Sequence, residues 1–520
     1  MPRTTPPHTK LKTSGRWRRV TLWSTLAIIV LVGVVIARPV AHVVTTVARD
    51  VDLREPTPPG QLDDASRLNA TAVHRVVRIG VDHMDPETQL VQLLKKAAAE
   101  DRRVSIAGAR HSMGGHTLYP DGIVLDMSSL HQMELDPATN LLHVQAGAIW
   151  HDVIDYLRPL GKSVAIMQSN DSFSVGGSLS VNCHGWQFNA PPIASSVDSF
   201  RLLQADGQVM RCSRNENADM FALALGGYGL FGVILDAKLQ VVPDATYQLE
   251  QHVVPLNESM AIFDAHVTDR PDVKMAFARM SIAPDTFLDE VIINIFMLDT
   301  DAPSPAQTNA DRTELLNTLL RGSTRAVFRG SAESEYGKGL RWDAETRIAP
   351  LLKGSVFTRN QLLDESVEVL ENRSAGTTDI LHEYFVPRDQ AYAFVQSMRK
   401  IVPAHDGNLL NVTIRSVNED TDTVLRFAKE PVFAFVMLFL QDRTDTGEAH
   451  MAAMTQDLIG AAIDNGGTYY LPYRLHATAE QFHRAYPQAA DFFNAKRKHD
   501  PDELFQNQFY VQYGRERLDQ

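Results

Sequence analysis

The sequence predicts an α+β fold with more than one domain behind a single N-terminal transmembrane helix. Three observations carry this. One unbroken apolar run lies near the N-terminus. In the body, short strands, hairpins and helices follow one another without a strict strand–helix–strand rhythm, which argues against a doubly wound sheet. At about Tyr247 the pattern changes from short strands punctuated by glycine to longer apolar strands. A chain of 520 residues suits two or three domains.

Residues 1–19 are basic, with Lys10, Lys12, Arg16, Arg18 and Arg19 leading into a charge-free run from Val20 to Ala37. That run spans on the order of 27 Å as a helix, close to the thickness of a bilayer core. Its basic flank is N-terminal, so the positive-inside rule places the body outside the cytoplasm. Arg18-Arg19 also has the look of a degenerate twin-arginine signal, beside the plainer reading of an ordinary basic flank. No A-x-A site follows, so a retained anchor is expected. Residues 38–70 read as a linker, most clearly at Thr57-Pro58-Pro59-Gly60.

In the body, Thr88 to Ala99 has helical spacing, and Val104-Ser105-Ile106-Ala107 is a short strand running into Gly108. Ile123 to Met127 and Leu142 to Gln145 are further strands, and Trp150 to Leu157 is an amphipathic helix. Phe200–Gln204 and Gln208–Cys212 flank Asp206-Gly207 as a hairpin, and Val233 to Val242 alternates as one more strand. Val291 to Met297 and Val432 to Leu440 are the longer strands beyond Tyr247.

A net charge of −13 and the lack of a basic stripe in the body exclude a nucleic-acid partner. Two cysteines, Cys183 and Cys212, are too few for a disulfide framework and are expected as buried thiols. No Cys/His spacing indicates zinc, and no metal is expected.

Three glycine-rich loops carry the chemistry. Gly108-Ala109-Arg110-His111-Ser112-Met113-Gly114-Gly115-His116 directly follows a strand, and such a loop can turn backbone N–H groups inward around an anion. Ser174-Val175-Gly176-Gly177-Ser178-Leu179 leads to Asn182, His184 and Gly185, expected on a short extended segment. Gly226-Gly227-Tyr228-Gly229-Leu230-Phe231-Gly232 is the third. None is a G-x-G-x-x-G on a βαβ unit, so a Rossmann reading fails its own context.

On these residues the span from Val76 to Pro243 resembles the PCMH-type FAD-binding domain of the vanillyl-alcohol-oxidase superfamily. The motifs are Gly108-x-x-His111-Ser112, Gly122-Ile123-Val124-Leu125-Asp126-Met127, Val175-Gly176-Gly177-x-Leu179-x-x-Asn182-x-His184-Gly185 and Gly226-Gly227-x-Gly229-x-x-Gly232. Within it the chain is similar to alditol and sugar-lactone oxidases, cytokinin dehydrogenases and decaprenylphosphoryl-ribose oxidases. The resemblance implies a two-subdomain FAD-binding domain over residues 71–245, a substrate or cap domain with an antiparallel sheet over 246–465, and a C-terminal segment, 466–520, returning to the flavin domain.

It also implies roles. Gly108, Ala109, Arg110, His111 and Ser112 would cradle the pyrophosphate, with His111 bonded covalently to FAD; a histidine that only hydrogen-bonds is the alternative. Gly176, Gly177, Ser178, Asn182, His184, Gly185, Gly232, Ile234 and Asn507 would complete the cofactor site. Decaprenylphosphoryl-ribose oxidases lack the histidine, so the chain departs from them there. The segment Gln168–Ser174 has no cysteine, so a second flavin linkage is not expected.

In the second region Asn411, Thr413 and Arg415 share one face of a strand from Leu409 to Arg415, which is either solvated or lines a cavity. Related sugar oxidases carry Glu-x-Arg on such a strand. Arg415 matches the arginine, but Thr413 replaces the glutamate, which leaves the substrate open. Glu383, in Glu-Tyr-Phe-Val-Pro, faces opposite to His382 on another strand. Tyr473 falls where decaprenylphosphoryl-ribose oxidases have a lysine, and a surface tyrosine is the alternative. Lys496 and Lys498 read as solvated helix charges.

The expected reaction is oxidation of a CH–OH group of a sugar, polyol, lactone or lipid-linked sugar, by hydride transfer to flavin N5. Arg415 would be the electrostatic partner, and Glu383, His184 and Tyr473 the candidate bases. The alternatives are a membrane-tethered flavin-binding or electron-transfer protein without alcohol turnover, and a reductase. The electron acceptor is not legible in the sequence.

Overall fold

The computed structural model describes residues 23–24, 37–81, 84–300, 325–332, 334–352 and 354–515. The chain divides into two compact units, Met1–Val51 and Asp52–Gln520. In the first, residues 37–49 form a largely exposed helix. The expected span Val20–Ala37 lies outside the described residues except for Trp23, Ser24 and Ala37. Among the described residues no helix is long and apolar enough to cross a membrane.

The second unit is α+β, as expected, and is built on three main sheets. The smallest is parallel, with Ile123–Asp126 between Arg75–Arg78 and Val104–Ala107. The helix Pro86–Ala99 connects its outer strands. Asp85 caps that helix by accepting from Thr88 N at 2.9 Å, Pro86 opens it, and Leu90, Leu94 and Ala97 are buried at helical spacing. This single βαβ unit does not repeat. The C-terminal segment extends the sheet: Val104 N donates to Leu504 O at 2.8 Å, and Gln506 N donates to Val104 O at 2.9 Å.

The second sheet is antiparallel and runs Val209–Ser213, Val197–Leu203, Val233–Pro243, Leu141–Gln145, Met133–Asp136. Its hairpin turns at Gly207, where φ is +83°. The third sheet has eight antiparallel strands. In order they are Val356–Thr358, Thr246–Pro255, Glu290–Leu298, Val273–Met280, Asn408–Val417, Val432–Asp442, Thr377–Pro387 and Thr468–Tyr469.

Register decides which side chains of this third sheet share a face. Arg279 pairs with Thr413, Thr413 with Val436, and Val436 with Glu383. Thr413, Arg415 and Glu383 therefore point the same way. Residues Trp186–Phe188, from the loop after Gly185, dock beside this face. Ala276 N donates to Trp186 O at 3.0 Å, and Phe188 N donates to Lys274 O at 2.9 Å. The Trp186 ring packs on Phe277 and Phe296, at 4.8 and 5.2 Å between centroids. The opposite face carries Ile414 and Phe435 under the helices Leu256–Phe263 and Ala391–Ala404.

Two expectations change. Part of the stretch read as a linker is tied to the first glycine-rich loop, because the Asp64 carboxylate accepts from Gly115 N at 2.8 Å. Lys496 is fully buried rather than solvated, paired with Asp500, which also accepts from Leu504 N and Phe505 N. A buried ammonium needs such a partner.

Candidate active site

The first glycine-rich loop closes on Ser174. A Cβ at Gly108 would stand 2.0 Å from Ser174 Oγ, and one at Gly177 2.9 Å from the same oxygen. Ala109 N reaches that oxygen at 3.4 Å. Arg110 bends the loop with a φ of +56°. The amides of Arg110, His111 and Ser112 meet no protein acceptor among the described residues, and Ser112 Oγ is buried without a partner. Buried donors of this kind require acceptors, and a pyrophosphate supplies them, so these residues fit FAD.

His111 Nε2 lies 3.1 Å from Ser172 O, and its ring packs against Phe173 with centroids 4.4 Å apart. Burial lowers its pKa, partly offset by the Ser172 carbonyl. Burial thus favours the neutral ring, with Nε2 donating to the Ser172 carbonyl and Nδ1 keeping its lone pair. His116 is buried between Tyr228 and Phe509 with no partner on either ring nitrogen, and burial pulls it down to about 3.

The second loop departs from expectation in its glycine-rich part, which is helical, and at Asn182, which was expected on an extended segment. Val175–Ser180 forms a short helix, and the chain turns out of it at Asn182, where φ is +49°. Several residues assigned to the cofactor are engaged within the protein. Asn182 accepts from Ala194 N at 3.1 Å and donates to Asp420 at 2.8 Å. Ser178 accepts from the Trp150 indole at 2.8 Å and donates to Gln168 at 2.8 Å. Asn507 accepts from Tyr510 N at 3.0 Å, capping the last helix, and donates to Tyr228 O at 2.8 Å.

The glycines fit the same account. A Cβ at Gly176 would meet Ala146 at 2.7 Å, one at Gly185 would meet Met167 O at 2.1 Å, and one at Gly232 would meet Leu203 O at 2.4 Å. Ile234 lies in the hydrophobic core. These residues shape the loops from behind, through contacts with protein.

Glu383 centres the other half of the site. It is buried, at 3% exposure, yet both carboxylate oxygens are engaged. His184 Nε2 lies 2.5 Å from Oε1, and the Tyr473 hydroxyl donates to Oε2 at 3.1 Å. Burial alone would raise its pKa, but His184, then Arg415 and Tyr473, outweigh burial and hold it below the usual carboxylate range. Burial and the negative charge of Glu383 push the Tyr473 phenol well above its ordinary value. Tyr473 remains partly exposed. Arg415 donates to Ser169 Oγ at 2.8 Å, and Thr413 Oγ1 accepts from Asn411 at 3.0 Å.

The fold thus brings Glu383, His184, Tyr473, Thr413 and Arg415 to one side of the third sheet. His382 points the other way, hydrogen-bonded by Tyr384 at 3.0 Å. Ser169, Ser174 and Asp64 escaped sequence reasoning. Ser169 lies in a segment weighed only for cysteine, Ser174 was read only as the start of the second loop, and Asp64 gives no signal of its own.

Residues 81–213 match the family model described as FAD binding domain. The chain is 24% identical over 452 residues to decaprenylphosphoryl-beta-D-ribose oxidase of Mycolicibacterium smegmatis, covering 81% of this chain and 91% of that protein. Residues 81–213 are thus an FAD-binding domain of the PCMH type, and the chain is an FAD-dependent oxidoreductase similar to these relatives. Cytokinin dehydrogenase 7 of Oryza sativa subsp. japonica is 22% identical over 478 residues, 85% of this chain and 87% of that one. L-gulonolactone oxidase of Mus musculus is 27% identical over 177 residues, covering 34% of this chain and 40% of that protein. The matches to the first two relatives thus extend well beyond the flavin-domain span.

Proposed function

We propose that this FAD-dependent oxidoreductase oxidises a CH–OH group of a sugar, polyol, lactone or lipid-linked sugar. The observation that carries the reading is Glu383, a buried carboxylate kept charged by His184 and bridged to the hydroxyl of Tyr473. Bound FAD supplies the acceptor for the hydride leaving the carbinol carbon. The hydroxyl proton passes to the Tyr473 oxygen as the phenol proton passes to Glu383 Oε2, while His184 steadies Oε1. Arg415, anchored by Ser169, stabilises negative charge developing on the substrate oxygen. The product is an aldehyde, ketone or lactone.

The FAD is held covalently through His111, whose neutral, oriented ring supports that role. The charge-free run Val20–Ala37 supports a retained membrane anchor with the body on the extracytoplasmic side. Protease protection in sealed membrane vesicles tests this placement.

Anaerobic addition of polyols, sugars, sugar lactones and prenyl-phosphate sugars tests the reaction. At least one class should bleach the flavin. If none does, the reading gives way to a flavin-binding protein without alcohol turnover.

A further inference from the structure

The strand Thr246–Pro255 places Glu250 and His252 two residues apart, on one face. Gln251 points to the other face, donating to Asn294 at 2.6 Å, and Asn294 pairs across the sheet with Phe277. Glu250 and His252 are therefore on the side away from Glu383 and Arg415. The helix Leu256–Phe263 follows the strand and ends in a π-turn, Asp264–Thr268. Such turns are often found at functional sites. Here the turn carries His266 to Glu250: His266 Nδ1 lies 3.0 Å and His252 Nε2 2.6 Å from the same oxygen, Glu250 Oε1. The two rings stand 4.3 Å apart.

We propose that Glu250, His252 and His266 form a binding site for a divalent transition-metal cation of the Zn2+ class, separate from the flavin site. Two imidazole nitrogens and a carboxylate are the ligand set such an ion takes. The three ligand atoms already lie within 4.8 Å of one another. An ion at about 2.0–2.2 Å from each ligand needs donors roughly 3.3 Å apart, so each imidazole moves off the Glu250 oxygen by less than about 1 Å to admit it. The two histidine side chains are 23% and 35% exposed and Glu250 18%, which leaves one side open for water to complete the coordination. Arg270, a cation that feels the charge of Glu250, is held by Asp272 at 2.6 Å. By contrast, at the other convergence of such groups, His151 with Asp171 and Asp364, the Arg158 guanidinium already sits 2.9 Å from Asp364.

An ion here joins the strand Thr246–Pro255 to the turn packed against it. It stabilises the fold without taking part in the flavin chemistry. The sequence held no zinc spacing because His266 reaches its partners only through the π-turn.

The test uses the flavin-loaded full chain, stripped of metal by chelation and titrated with Zn2+ in a calorimeter. One Zn2+ per chain should bind and raise the Tm. His266→Ala and Glu250→Gln should each weaken binding by at least ~10-fold and abolish the Tm rise. Asp364→Asn should leave both unchanged. Affinity should fall as the solution is made more acid, because metal binding releases protons from its ligands. If His266→Ala does not fold, the near-isosteric His266→Gln replaces it. Absence of saturable Zn2+ uptake, or wild-type affinity in both ligand variants, overturns the proposal.

Discussion

Glu383 illustrates how much a single buried carboxylate can decide. Without His184 and Tyr473 its burial would favour the neutral acid; with them it is charged and can take a proton. Glu383→Gln keeps the size and loses the basicity. It should slow flavin reduction by about 10²–10⁴-fold while leaving flavin content unchanged. Because the Glu383 pKa is depressed, its charged form persists as pH falls to the usual carboxylate range. Flavin reduction should therefore hold its rate down to about pH 5, as single-turnover kinetics across pH would show. At His111 the expectation is separate: wild-type protein should stay yellow after acid precipitation and washing, and His111→Ala should not. Colour that survives in the variant removes the covalent assignment.

Among the elements, the junction at Asn182 joins the flavin loops to the substrate region. Asn182→Ala would remove one donor from the buried Asp420 carboxylate and leave Ala194 N without its side-chain acceptor, and should cost about 1–3 kcal/mol by denaturant unfolding. This role could not be read from the sequence, since Asp420 lies 238 residues away. Asn507 was opaque for the same reason, with Tyr228 at a separation of 279 residues. Strands were far more legible. Strict alternation at Leu409–Arg415 placed Thr413 and Arg415 on one face, and the same period separated Glu383 from His382. The helix Val175–Ser180 was missed because two glycines and a valine disfavour helix locally. Packing of Gly176 on Ala146 settles it instead. Lys496 was misread although its partner, Asp500, stands at helical spacing; what the sequence did not show was that both are buried.

For the whole molecule, acid sensitivity follows from two histidines kept neutral in the interior. Burial pulls His116 and His382 each down to about 3, and the charge of His476 adds to the effect at His382. An unfolded histidine titrates near about 6.5. Between these values the unfolded chain binds more protons, so stability should fall as pH drops from about 6.5 towards 3. The slope is about 1.4 kcal/mol per pH unit for each ring. Denaturant midpoints measured at pH 7.5 and pH 5 check the sign. The catalytic reading depends on the same assembly, since His184 comes from a flavin-domain loop, Glu383 from the third sheet and Tyr473 from the segment after its last strand. The most direct test is anaerobic stopped-flow flavin reduction by an active donor, protiated and deuterated at the carbinol carbon, in wild-type protein and Glu383→Gln. The wild type should show a primary isotope effect, and the variant should be at least about 100-fold slower with full flavin content. Reduction of the variant at the wild-type rate would contradict the account.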